Sequence, residues 1–116
     1  MEADMTGRKA LLRDYRDRKV TGGIYAVRCT ASGEAWVGAT PDLSTRQSGI
    51  WFSLKHGAFR EPGLQAAWTR HGEAAFLFET VETLEDETLG SVGRDSWFKA
   101  RREAWCQTLQ AGMLNR

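Results

Sequence analysis

The chain has 116 residues, 41% of them hydrophobic, with five tryptophans and a formal net charge of +1. That length fits one domain around one modest core, and that composition excludes an intrinsically disordered chain. No apolar run approaches the roughly 20 residues of a membrane helix, and the charged N-terminus lacks the apolar stretch of a signal peptide, so a cytoplasmic protein with no membrane partner is expected.

Residues 3–18 read as a helix, with Ala10, Leu11 and Tyr15 on one side and Arg8, Lys9, Arg13, Arg16 and Arg18 largely elsewhere. Residues 1–20 are therefore expected as an N-terminal helical extension and residues 21–116 as a single domain. Thr21-Gly22-Gly23 breaks the helix. Two β-rich runs follow, residues 21–30 and 35–40, joined by Ala31-Ser32-Gly33-Glu34, which predicts a hairpin pairing Thr30 with Ala35 and Cys29 with Trp36. Alternation puts Tyr25, Val27, Cys29, Trp36, Gly38 and Thr40 on one face. Ile24, Ala26, Arg28, Ala35, Val37 and Ala39 share the other. The small aliphatic face suits a core; the face with a phenol, an indole and a bare glycine suits a site.

Thr40-Pro41-Asp42 starts the next helix, with Thr40 or Asp42 as its cap, and Gly57 stops it near His56. Leu43, Ile50 and Leu54 form its apolar stripe. Arg46 falls on that inward stripe, where a guanidinium needs a partner. A structural ion pair with a carboxylate such as Glu79 and a role in holding an anionic ligand are equally open. Pro62 begins a short helix ending at His71 and Gly72, with Leu64, Ala67, Trp68 and His71 in helical spacing. Residues 75–81 read as a third strand, apolar enough to be central. Residues 82–94 are acidic and glycine-containing. Asp95-Ser96 caps a last helix reaching about Gln110, and residues 111–116 form a tail. Helices packed on a small sheet make an α+β fold.

Cys29 and Cys106 lie far apart in no metal spacing, and His56 and His71 are isolated, so a zinc site is not expected. Charge is divided along the chain. Residues 72–94 hold six acidic and one basic side chain, while residues 42–71 and 95–116 each hold four basic and two acidic. Such a distribution permits a nucleic-acid partner without demanding one.

Gly23-Ile24-Tyr25 followed by Trp36-Val37-Gly38, with Arg46 eight residues beyond Gly38 and Asn115 near the end, resembles the signature of the GIY-YIG nuclease superfamily. The resemblance implies a three-stranded antiparallel sheet flanked by helices, the N-terminal helix being an addition. It implies hydrolysis of nucleic-acid phosphodiesters, DNA above all, with Mg²⁺ or Mn²⁺. Tyr25 would act as, or help orient, the base, and Arg46 would steady the phosphate. Gly38, Trp36, Arg102 and Asn115 would lie at the substrate. A carboxylate on the last helix would hold the metal.

Two departures stand against full activity. Trp36 occupies the place of the second tyrosine and has an N–H donor but no acidic hydroxyl. On the last helix, with Phe98 at the centre of the buried stripe, Arg102 lies about 40° away and Glu103 about 140° away. The helical face therefore puts Arg102 inward, whereas counting back from Asn115 selects Glu103 as the metal ligand. The alternative to an endonuclease is a catalytically degenerate domain that binds nucleic acid or protein.

Overall fold

The computed structural model describes residues 21–84 and 89–114. The helix expected over residues 3–18, the boundary at residue 20 and Asn115 lie outside them. Strands β1 (Gly23–Cys29) and β2 (Ala35–Thr40) form the expected hairpin. It closes two residues earlier than the turn suggested: Cys29 N–H donates to the Glu34 carbonyl at 2.9 Å and Gly33 N–H to the Cys29 carbonyl at 2.8 Å. Gly33, at φ 81°, supplies the left-handed residue that ends the loop. The pairs are therefore Tyr25 with Gly38, Val27 with Trp36 and Arg28 with Ala35. Because the shift is even, each side chain keeps its expected face.

Strand β3 (Phe76–Thr83) pairs antiparallel with the other side of β1, through a bulge between Ile24 and Tyr25. It is an edge strand, not the central one its apolarity suggested; Leu77 is 53% exposed. A fourth strand, β4 (Gly112–Met113), pairs parallel with β2, so the expected three antiparallel strands become a mixed sheet of order β3-β1-β2-β4. Gly112 permits this addition. A side chain there would press within 2.8 Å of the Trp36 indole. Leu114, 1% exposed, anchors the strand, its N–H donating to the Val37 carbonyl at 2.7 Å.

Both faces of the sheet carry core. Tyr25, Val27, Cys29 and Trp36 pack under helices α1 (Leu43–Lys55) and α2 (Pro62–His71). Ile24, Ala26, Val37 and Ala39 pack under α3 (Ser91–Leu109) through Phe98, Trp105, Cys106 and Leu109. Asp42 is the cap of α1, accepting from Ser44 N–H at 3.0 Å, and Glu61 caps α2, accepting from Leu64 N–H at 3.1 Å. Ile50, Trp51 and Leu54 are buried, with Trp51 edge-on to Trp68, while Phe52 is 64% exposed. Helix α3 starts four residues before the Asp95-Ser96 cap that was expected. Its first turn closes with Arg94 N–H donating to the Gly90 carbonyl at 2.9 Å, and Asp95 and Ser96 are exposed residues of the helix. Short polar residues mark a helix start or decorate its wet face equally well.

Glu82 ties β3 to α3. Its carboxylate accepts from Arg101 Nε at 2.7 Å and Trp105 Nε1 at 2.8 Å. Burial pushes this carboxyl up, but the two donors and the Arg101 charge outweigh burial and leave it below its ordinary 4.5. A depressed carboxyl contributes stability above its unfolded value and loses it as pH falls through the folded one. Glu82→Gln is thus expected to lower stability by about 1 kcal/mol at pH 7. Melting curves of the two proteins should converge as pH falls below about 4.5.

Candidate functional site

Tyr25 is fully buried at the centre of the sheet, its ring stacked on Phe78 at 5.1 Å between centroids. The ring lies across Gly38 on the neighbouring strand: a Cβ there would stand 2.3 Å from the phenol oxygen. The hydroxyl has no hydrogen-bond partner among the described residues. Burial pushes its pKa above the ordinary 10.0; Arg46 and then Arg102 pull it back without overcoming burial. At neutral pH the phenol therefore keeps its proton. It can donate a hydrogen bond and orient a neighbour.

Arg46 is delivered by the first turn of α1, half-buried on the same face as Tyr25, with its guanidinium carbon 6.0 Å from the Tyr25 ring centre. One Nη donates to Thr40 Oγ1 at 3.2 Å. Thr40, 2% exposed, also accepts from Asp42 N–H at 3.1 Å, so the start of α1 and the end of β2 fix the arginine together. The carboxylate expected as a structural partner, Glu79, is paired instead with Arg28 on the opposite face of β1.

Arg102 comes from α3. Its Nη1 donates to the Leu114 carbonyl at 3.2 Å, at the β4 edge of the sheet, and its buried Nε has no partner among the described residues. Glu103 is exposed. The helical face, not the interval to Asn115, thus selects the inward residue, and it is a cation. Among the described residues no group of three histidine, cysteine, aspartate or glutamate side chains could hold a metal ion. Asp42 and Glu61 are engaged as helix caps. Among the described residues the groups gathered here are two guanidiniums and a protonated phenol, which suit an anion better than a divalent cation.

Tyr25, Gly38 and Arg46 are therefore brought together, Arg102 acts on the phenol through its charge, and Glu103 is exposed. Trp36, 5% exposed, fills the core against Gly112. Two contributors were missed from sequence, the Thr40 hydroxyl and the Leu114 carbonyl. Thr40 was visible as a member of the Tyr25 face. A backbone carbonyl on an unrecognised strand left no sequence signal.

No protein-family model and no curated protein sequence matches the chain. Two solved structures do match. One, the catalytic domain of homing endonuclease I-TevI, superposes with a TM-score of 0.67 at 20% identity, over 80% of this chain and 97% of that one. The other, a point mutant of the catalytic domain of intron endonuclease I-TevI, superposes with a TM-score of 0.66 at 22% identity, over 78% of this chain and 86% of that one. The architecture implied by the Gly-Ile-Tyr and Trp-Val-Gly strands, that of the GIY-YIG nucleases, is the fold of this chain.

Proposed function

We infer that this chain is a GIY-YIG-fold domain that seats a nucleic-acid phosphodiester between Arg46 and Arg102, against the Tyr25 hydroxyl, and holds it without a metal ion. One observation carries this reading: the inward position of α3 presents a guanidinium, Arg102, which sits on the Leu114 carbonyl and whose charge, like that of Arg46, acts on the Tyr25 phenol. Paired guanidiniums neutralise phosphate oxygens through charge-assisted hydrogen bonds and need no bridging metal to do so. Arg46 is fixed by Thr40 and Arg102 by Leu114, so both charges are positioned before a ligand arrives.

A second reading is metal-dependent cleavage by an endonuclease. It is favoured by the retained pair of Tyr25 and Arg46 and by the likeness to the catalytic domain of an endonuclease. In that reading Mg²⁺ or Mn²⁺ would supply an activated water and charge stabilisation. The exposed Glu103 gives it no ligand in the cleft.

A combined binding and nicking assay separates the two. Fluorescence anisotropy with labelled DNA should show binding that persists in EDTA and weakens in Arg46→Ala. Supercoiled plasmid with Mg²⁺ or Mn²⁺ should stay intact. Nicking that requires the divalent ion and disappears in both Tyr25→Phe and Arg46→Ala would establish the endonuclease instead.

A further inference from the structure

Apart from Arg46 and Arg102, the basic side chains of the described residues divide by whether an acid pairs with them. Arg28, Lys55 and Arg101 are neutralised by Glu79, Glu73 and Glu82. Arg60, Arg70, Arg94 and Lys99 form no ion pair among the described residues, and three of these, Arg60, Arg94 and Lys99, line two grooves whose walls are joined by the hydrogen bond between Arg102 and Leu114. The first groove, about 610 Å³, runs from Arg46 past Ser53 to Arg60, with Leu114 in its wall. The second, about 420 Å³, runs from Arg102 along Lys99 to Arg94 and Ser91 at the start of α3. The hydrogen bond from Arg102 to the Leu114 carbonyl is the saddle between them. Each groove carries one acidic residue. Glu61 in the first caps α2 and Asp95 in the second is exposed. Basic side chains still outnumber acidic ones along both walls.

We propose that the two grooves form one continuous track for a nucleic-acid strand. The central phosphate lies at Arg46 and Arg102, one flanking phosphate at Arg60, and the flanking phosphate on the other side at Arg94 and Lys99. This rests on the phosphate-binding reading of the cleft and extends it to a path with cationic flanks on either side. Phosphate contacts of this kind position a strand without reading its bases. The second groove draws on α3, the helix on the far face of the sheet from α1, so the strand wraps the β4 edge.

The test uses two probes: a thymidine dinucleotide with one phosphodiester, followed by NMR titration, and a single-stranded oligonucleotide of about twelve nucleotides, followed by anisotropy. Arg46→Ala is expected to weaken both. Arg60→Ala, and the double variant Arg94→Ala with Lys99→Ala, should leave the dinucleotide unaffected and weaken the oligonucleotide. The slope of log affinity against log salt should fall by about 0.7 for each phosphate that is no longer neutralised. The substituted side chains of the flanks lie outside both cores, and unchanged melting of the variants checks that the fold is intact. Oligonucleotide affinity and slope unaltered in both flank variants, with Arg46→Ala still impaired, would overturn the track and leave the cleft. Dinucleotide binding indifferent to Arg46→Ala would overturn the cleft itself and the track through it.

Discussion

Gly23→Ala is expected to destabilise the protein by about 3 kcal/mol, at the top of the range for overpacking. A Cβ on residue 23 would stand 2.2 Å from the Glu82 carbonyl oxygen, 2.9 Å from a Leu43 methyl and 3.1 Å from Thr83 Cα. The Leu43 methyl can swing aside. The carbonyl and Cα belong to the paired strand β3, and Gly23 lies opposite Thr83 just before the bulge, so relief requires parting β1 from β3. Urea unfolding followed by tryptophan fluorescence should show a lower midpoint with little change in slope. The same substitution at Gly49 is the control. Nothing lies within 4 Å of a Cβ there, and the residue sits in the exposed middle of α1. Alanine should stabilise that helix by about 0.5–1 kcal/mol. Opposite signs from one chemical change would tie the Gly23 cost to the closeness of β3. Equal effects at both positions would remove that explanation.

Arg102→Glu is expected to weaken nucleic-acid binding by about 100-fold, against about tenfold for Arg102→Ala. Losing one hydrogen bond to a charged group costs roughly 1.5–3 kcal/mol, and each 1.4 kcal/mol is a factor of ten. Reversal adds repulsion between the new carboxylate and the phosphate. A second readout does not depend on nucleic acid. Arg102 now pulls the Tyr25 phenol down against burial, so replacing it should push that phenol further up in an ultraviolet titration. The carboxylate would also lie on the inward side of α3, where Arg102 now acts on Tyr25. Calorimetry with Mn²⁺ should then register a binding heat that wild type does not give. If wild type itself binds Mn²⁺ and the substitution leaves nucleic-acid affinity intact, the guanidinium has no part in holding the phosphate.

The two signature tripeptides acquire a steric meaning from these distances. Gly23 is glycine because β3 passes against it, and Gly38 is glycine because the Tyr25 ring lies across it. Neither reason is visible in one sequence, yet strand alternation alone put Tyr25 and Gly38 on a shared face. Helices α1 and α2 were legible because local chemistry ends them: Gly57 at φ 69°, Pro62 in the first turn and Gly72 at φ 86°. The inward choice of Arg102 over Glu103 was legible from helical phase. The hairpin register was not, because it depends on which loop residue takes the left-handed conformation. Strand β4 was not, because two residues carry no period and the pairing is made by the distant β2. The edge position of β3 was not, since apolar content reports burial and says little about neighbours.

Strand β4 is two residues long and both are exposed, yet the Leu114 carbonyl beside it steadies Arg102. So short a ladder frays at far lower free energy than the sheet it joins, and amide exchange there should outpace that of β1. Each local opening would release the guanidinium while the rest of the molecule stays folded. A bound phosphate that grips Arg102 would in turn hold the strand shut, so occupancy of the cleft and slow exchange at Leu114 rise and fall together.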